Sequence, residues 1–302
     1  MKKFLLQCAG MLALLLIPVI GSLFLLSNFD KDGYILANVD KRIRLDSVSG
    51  PKLVLIGGSN LAFGLNCQVL ADSLSFSPVN MGLHASIGLH YMMDEVEPFL
   101  KSGDVLLIVP EYDQFTDKIF YGEQPLEELL LREQKYNSLL TSWRHCSAVV
   151  DGLRLVRISL FERLASTSKG AYSRSHFNIY GDNTGHWALP AQKIVDTPLR
   201  ETPQENIVKQ VATYIHRMEK RGVKCYVFPP VYKKSCALRS DVLMQQTIEF
   251  LEKYSISFQV PAERYVFNDY LFYDTVYHLN KKGVDMRTGL LLKDLQSILA
   301  GR

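Results

Sequence analysis

The sequence has little cysteine, little tryptophan and almost no excess of charge of either sign. Its 302 residues include five cysteines and two tryptophans, and 34 basic side chains against 31 acidic ones leave a net charge of +3. Because no cluster of Lys and Arg stands out from this balance, we expect no nucleic-acid partner. The cysteines form no CxxC pair and have no spaced histidine partners, so we expect no structural zinc site. A globular protein remains, since 47% of the residues are apolar, which is enough for a packed core.

One long apolar run lies at the N-terminus. Phe4 to Leu26 contains 23 residues without a charge, and a helix of this length spans about 34 Å, close to the hydrocarbon core of a membrane. Lys2 and Lys3 precede it, so the positive-inside bias places the rest of the chain on the extracytoplasmic (periplasmic) side of the cell membrane. The run is too long for a typical signal peptide and no small-residue cleavage motif follows it, although a cleaved signal peptide is the alternative. The sequence therefore predicts a single-pass signal-anchor within residues 1–28.

The four cysteines beyond this segment would meet an oxidising compartment, where disulfides can form. They allow zero, one or two bridges, and buried free thiols are the alternative. These residues are Cys67, Cys146, Cys225 and Cys236.

Beyond a polar connector at residues 29–50, apolar strand-like runs alternate with helical patterns. The strand-like runs are Lys52–Gly57, Pro78–Met81, Asp104–Val109, Val223–Phe228 and Ser255–Val260. The helical patterns cover Leu61–Leu74, Gly88–Leu100, Thr202–Arg221, Ser240–Tyr254 and Asn280–Leu299. Buried strands separated by helices predict an α/β domain over residues 51–302, with a mostly parallel sheet covered on both faces. Residues 115–200 interrupt the pattern and predict a largely helical insertion, which is either a rim of the ligand site or a structural decoration.

The first predicted strand ends in a tight turn that carries a serine. Ligands of open α/β sheets bind beyond the carboxyl ends of the strands, and Ser59, in the segment IGGSN at 56–60, lies at such an end. Its hydroxyl would stand beside backbone amides that can bind an oxyanion, while a glycine-rich turn with a serine cap is the alternative. Three other motifs that place a ligand after a strand are absent. A dinucleotide fingerprint would need glycine at position 59, and the α/β-hydrolase elbow would need glycine at position 61. A phosphate-binding loop would need the sequence Gly-Lys-Ser/Thr, which does not occur here.

An aspartate and a histidine precede the last predicted helix. His278 can act as a general base, and Asp274 can orient its ring and stabilise the imidazolium. We expect the two side chains to share one face of a helical turn. Such a spacing is common by itself, but a parallel sheet would bring this pair to the same edge as Ser59.

The order of these segments resembles the SGNH (GDSL-type) hydrolase family over most of residues 52–299, apart from the insertion. The resemblance implies a flavodoxin-like three-layer α/β fold with a central, mostly parallel sheet. The family's GDS block is GGS here, at 57–59, and its Asp-x-x-His block has the aspartate one residue farther away. By the resemblance, the amides of Ser59 and Ala85 form an oxyanion hole, and Tyr112 replaces an oxyanion-binding asparagine.

The resemblance and the predicted anchor together imply a membrane-anchored serine esterase or O-acyltransferase. Ser59 would attack the acyl carbonyl, His278 would take its proton and Asp274 would orient His278, while Asn60 and His84 would line the substrate. The chain is similar to the anchored SGNH-like proteins of alginate O-acetylation and teichoic-acid D-alanylation. This similarity implies that the substrate is an acetyl or other acyl ester of a cell-envelope glycan, or an acylated small molecule. It also implies a membrane O-acyltransferase as partner, and it implies no cofactor or metal. The alternative is a catalytically weak or inactive subunit of the same fold that binds glycan or assists that acyltransferase.

Overall fold

A four-stranded parallel sheet forms the centre of the fold. The structure is a computed structural model that describes residues 1–11, 13, 14, 17, 32–133 and 170–301. Its central strands, in the spatial order β2-β1-β3-β4, are β1 (Lys52–Gly57), β2 (Ser77–Asn80), β3 (Val105–Val109) and β4 (Lys224–Val227). A parallel bridge between Val227 and Phe258 lies where the sequence predicted a further strand. The α/β domain with a parallel sheet is therefore confirmed.

Helices connect and flank these strands. In chain order they are α1 (Ala37–Ser47), α2 (Ser59–Ala62), α3 (Cys67–Ser73), α4 (Leu89–Val96), α5 (Asp117–Phe120), α6 (Gln124–Arg132), α7 (Glu205–Lys220), α8 (Lys234–Ala237), α9 (Asp241–Lys253) and α10 (Lys281–Leu299). A small second sheet pairs β5 (Tyr232–Lys233) with β6 (Val266–Phe267). Single 3-10 turns cover Tyr34–Leu36, Ala85–Ile87, Glu97–Phe99, Tyr112–Phe115, Arg174–His176, Ala262–Tyr265 and Asp269–Leu271.

The central sheet is packed on both faces. Alternate side chains of a strand point to opposite faces, so Val54 and Ile56 of β1 pack into one apolar cluster with α1, α4 and α7. Leu53 and Leu55 pack into a second cluster with α3 and α10. Because both faces are covered, every residue of β1 and β3 is buried, which explains their continuous apolar sequences.

Two helix boundaries differ from the sequence prediction. The helix predicted over Leu61–Leu74 is two helices, α2 and α3, because the guanidinium of Arg287 from α10 fills the space beside Gly64. The helix predicted to begin at Thr202 begins later, with Gln204 at its N-cap. By contrast, α10 begins where expected, since Asn280 Oδ1 accepts a hydrogen bond of 3.1 Å from the Gly283 amide.

Residues 32–50, the described part of the segment predicted to be a polar connector, fold onto the domain through α1. Lys41 of α1 is 2% exposed, and its amino group donates to the carbonyls of Asn80, Gly82 and Gly181. Burial lowers the pKa of Lys41 to about 7. A lysine is polar in sequence, yet it can be buried when every donor of its amino group is satisfied.

Two further predictions fall partly or wholly on residues that the structure does not describe. Of the predicted membrane segment Phe4–Leu26, residues 12, 15, 16 and 18–26 lie outside the described residues, and no helix among the residues described is both long and apolar enough to cross a membrane. Residues 134–169 of the predicted helical insertion also lie outside them. Within the described chain, Cys67, Cys225 and Cys236 are free thiols, whereas Cys146 is not described.

Candidate active site

A cavity of about 560 Å³ opens at the carboxyl ends of the central strands. Ser59 follows β1, Ala85 follows β2, Glu111 follows β3, and His278 comes from the loop before α10; all four line the cavity. The chain runs from β1 to β2 on one side and then crosses to β3 on the other, so this is the point at which the strand order reverses. Parallel sheets bind ligands in the crevice at such a point.

Ser59 is the first residue of α2 and is half-buried at the floor of the cavity. Its Oγ donates a hydrogen bond of 3.1 Å to Oε1 of Glu111. The amide of Asn60 donates to the same oxygen at 2.8 Å. Within the described residues, no hydrogen bond joins Ser59 Oγ to His278, although both side chains line the cavity.

His278 and Asp274 form a nearly buried, hydrogen-bonded pair. Nδ1 of His278 lies 2.8 Å from Oδ1 of Asp274, and the two side chains are 6% and 10% exposed. The hydroxyl of Tyr172 donates to the other oxygen, Oδ2, at 2.5 Å. Burial pushes the pKa of Asp274 upward, but its hydrogen bonds with His278 and Tyr172 outweigh this effect and lower that pKa. Asp274 is therefore ionised at neutral pH, which keeps a proton on Nδ1 and directs the chemistry of the ring to Nε2.

The Asp274–His278 segment is a closed loop and not the helical turn expected from its spacing. Phe272 and Leu279 pair across its base as an antiparallel bridge. Thr275 Oγ1 accepts hydrogen bonds from the amides of Tyr277 and His278, at 3.3 and 3.1 Å. These bonds turn the backbone between Asp274 and His278 back on itself, so the Asp274 carboxylate still reaches the His278 imidazole.

The imidazole of His278 stacks on the ring of Phe63, which lies in the same segment as Ser59. The rings of His278 and Phe63 are stacked, with centroids 4.1 Å apart and planes 7° from parallel. The Phe63 amide donates to the Ser59 carbonyl at 2.9 Å. One turn of backbone therefore carries both Ser59 and the Phe63 ring on which His278 stacks. This stacking fixes the plane of the imidazole at the wall of the cavity.

Glu111 is a functional candidate that sequence reasoning missed. It is 5% exposed, and it caps the 3-10 turn after β3 through reciprocal hydrogen bonds with Gln114. A Cβ on Gly58 would lie 2.6 Å from the Glu111 carboxyl carbon, so glycine at 58 makes room for this carboxylate beside Ser59. Burial raises the pKa of Glu111, against the opposing effect of the Asn60 amide. The signal in the sequence was a lone carboxylate directly after a buried strand.

Two of the predicted site residues lie away from the cavity. Tyr112 is buried on the other side of its turn, where its ring packs 5.8 Å from Tyr232 and 6.4 Å from Phe258. Tyr112 thus does not line the cavity, because the turn after β3 presents Glu111 to the cavity instead. Asn60 is fully buried and structural, since Nδ2 donates to the Val109 carbonyl and Oδ1 accepts from Arg287 at 2.8 Å.

His84 and Ala85, in contrast, both line the cavity. Nδ1 of His84 accepts a hydrogen bond of 3.1 Å from the Ser86 amide. Burial, and then the charge of nearby His278, lower the pKa of His84. His84 is therefore neutral at pH 7, with its proton on Nε2, and is a hydrogen-bond donor.

The rest of the cavity wall is charged. Lys118 and Arg200 are exposed on it, together with Glu201 and the half-buried Asp113. Burial, followed by the charges of Glu111 and Glu201, raises the pKa of Asp113 to about 6. Among the described residues, no group of His, Cys, Asp or Glu side chains has the arrangement of a metal site.

Comparisons with protein-family models and with curated proteins found no match for this chain.

Proposed function

We propose that this protein is an SGNH-type serine esterase or O-acyltransferase that acts on acyl esters of a cell-envelope glycan. The observation that carries the proposal is that Ser59 and His278 line one cavity, with the Asp274 carboxylate 2.8 Å from the far nitrogen of the imidazole. A nucleophile, an acid–base group and its orienting carboxylate are the parts that acyl transfer through a serine requires. The strand order 2-1-3-4 supports a flavodoxin-like SGNH fold.

In this reaction Ser59 Oγ attacks the carbonyl carbon of an acyl ester. The backbone amides of Ser59 and Ala85, with His84 as a further donor, bind the oxyanion that forms. His278, oriented by Asp274, moves the protons of the leaving alcohol and of the group that enters. If water enters, the acyl group is hydrolysed, and if a sugar hydroxyl enters, the acyl group is transferred. The uncharged run Phe4–Leu26 supports a membrane anchor, with the site on the extracytoplasmic side near its glycan and a membrane O-acyltransferase.

Two assays on the full-length protein in detergent test this proposal. Ser59→Ala should abolish covalent labelling by a fluorophosphonate and turnover of p-nitrophenyl acetate. His278→Ala should lower turnover about 10²–10⁴-fold. Exposed residues provide matched controls, Ser257→Ala and His216→Ala, which should behave as wild type. Labelling that persists in Ser59→Ala, or turnover that is indifferent to His278→Ala, would overturn the proposal.

A second candidate is a catalytically weak or inactive subunit that binds glycan beside a membrane acyltransferase. It is favoured by one observation, which is that the Ser59 hydroxyl bonds to Glu111 and not to His278. In this case the wild-type protein would be neither labelled nor able to turn over the ester, while it would still bind oligosaccharides of the envelope glycan in isothermal calorimetry.

A further inference from the structure

The buried carboxylate of Glu111 touches the hydroxyl that the proposed function makes the nucleophile. Ser59 Oγ donates to Oε1 of Glu111 at 3.1 Å, and this is the contact a base needs in order to take the serine proton. The imidazole of His278 makes its hydrogen bonds on the Nδ1 side, with Asp274 and Tyr172. The serine proton is thus directed at a carboxylate in this structure.

The position of Glu111 is built into the chain at three points. The Asn60 amide donates to the same Oε1 at 2.8 Å, and Gln114 accepts from the Glu111 amide at 3.0 Å. Gly58 lacks the Cβ that would displace the carboxyl group. A side chain that is 5% exposed and held by its own turn loses little entropy when it reacts, which is what preorganised catalysis requires.

We infer that Glu111, and not His278, takes the proton of Ser59 when the acyl-enzyme forms. This inference rests on the proposed function and changes one step of it. It makes Glu111 a catalytic residue, since its carboxylate touches a reacting atom. The burial that raises the pKa of Glu111 also makes it a stronger base than an exposed carboxylate.

The protons balance if the two acid–base groups share the reaction. In acylation, the bond from Ser59 Oγ to the acyl carbon forms and the hydroxyl proton passes to Glu111. The ester C–O bond then breaks, and the leaving alkoxide takes a proton from Nε2 of protonated His278. In deacylation, His278 takes the proton of water or of a sugar hydroxyl as that oxygen attacks the acyl carbon. The bond to Oγ breaks and Glu111 returns its proton to Ser59, which restores the starting state.

The test compares fluorophosphonate labelling rates in the full-length protein in detergent. In this labelling Ser59 Oγ attacks phosphorus, gives up its proton and displaces fluoride, so the rate reports the deprotonation of Ser59 without an alkoxide that must be protonated. Glu111→Gln keeps the shape of the side chain but cannot take a proton, so its labelling rate should fall at least about 100-fold. His278→Ala should reduce labelling less than tenfold, while it lowers ester turnover about 10²–10⁴-fold. Glu249→Gln, on the exposed face of α9, is the matched control and should label like wild type.

A second variant separates loss of the base from loss of the fold. Glu111→Ala leaves space for a small carboxylate, and added formate should restore its labelling rate at least tenfold, with no effect on Ser59→Ala. A labelling rate of Glu111→Gln within tenfold of wild type, or Glu111→Ala that formate does not rescue, would overturn the inference and leave the proposed function intact. Wild-type protein that is not labelled at all would overturn both.

Discussion

Substitution of Arg287 offers the most direct test of how tertiary contacts stabilise the turn that carries Ser59. It lies on α10, is 1% exposed, and donates to the backbone carbonyl and to Oδ1 of Asn60, the latter at 2.8 Å. Burial lowers its pKa to about 10, so the guanidinium remains charged at pH 7. Asn60 is the residue after Ser59, so this cation connects α10 to the turn that carries Ser59.

The cost of removing this cation follows from its contacts. Two hydrogen bonds from a charged donor contribute about 3–6 kcal/mol together. Replacement by an apolar side chain returns about 1–3 kcal/mol, because the buried Nε of Arg287 has no hydrogen-bond partner among the described residues. We therefore expect Arg287→Met to lower the free energy of unfolding by about 2–3 kcal/mol, which is about 4–12 °C in melting temperature.

Thermal and urea unfolding of the two proteins, followed by circular dichroism, measure this difference. Arg287→Lys keeps the charge but loses the forked geometry of the guanidinium, so its free energy of unfolding should lie between those of Arg287→Met and wild type. Lys293→Ala, at an exposed site on the same helix, should change stability by less than about 0.5 kcal/mol. If Arg287→Met unfolds at the same temperature and urea concentration as wild type, the argument that this residue holds the turn is refuted.

Three further substitutions test other parts of the site. Gly58→Ala places a methyl group against the Glu111 carboxyl and should cost about 1–3 kcal/mol and abolish labelling, whereas Gly289→Ala, in open space, should gain about 0.5–1 kcal/mol in urea unfolding. A Gly58→Ala protein as stable and as reactive as wild type would contradict the packing. The pKa of Asp113 is raised to about 6, so the folded protein binds more protons than the unfolded chain between about pH 4 and 6, and stability falls as pH rises through that window. The free energy of unfolding of Asp113→Asn should therefore exceed that of wild type by about 1–3 kcal/mol at pH 7.5 and equal it near pH 4. An equal gain at both pH values would contradict the raised pKa of Asp113. Asp274→Asn should lower ester turnover about 10⁴-fold with little change in melting temperature, and turnover within tenfold of wild type would remove its assigned role.

The four strands of the central sheet were predictable because their signal is local, whereas the short strands β5 and β6 were not predicted. β1 and β3 are continuous apolar runs, and such a run predicts burial on both faces wherever it lies in the chain. The start of α10 was also predictable, since Asn280 caps it with its own side chain. The break between α2 and α3 was not, because Arg287, which fills that space, is more than two hundred residues away in sequence.

The same contrast holds for the site. Ser59 and the Asp274–His278 pair stand out because each lies in a short segment whose residue types suggest chemistry. The sequence does not show whether Glu111 or Tyr112 faces the cavity. These residues are adjacent at the start of one 3-10 turn, and only the direction in which that turn points each side chain distinguishes them. Tyr172, which bonds to Asp274, lies 102 residues away in sequence and in a segment without any motif.

By itself, therefore, the sequence determined the alternation of strands and helices, the serine turn after β1 and the Asp–His loop before α10. The tertiary structure decided that Lys41 is a buried link and not part of a connector, that Asn60 is structural, and that the Ser59 hydroxyl meets Glu111. The physical reason is that hydrophobic periodicity and capping act within a few residues, whereas the partners of a buried polar group are chosen by whichever segments the folded sheet brings together.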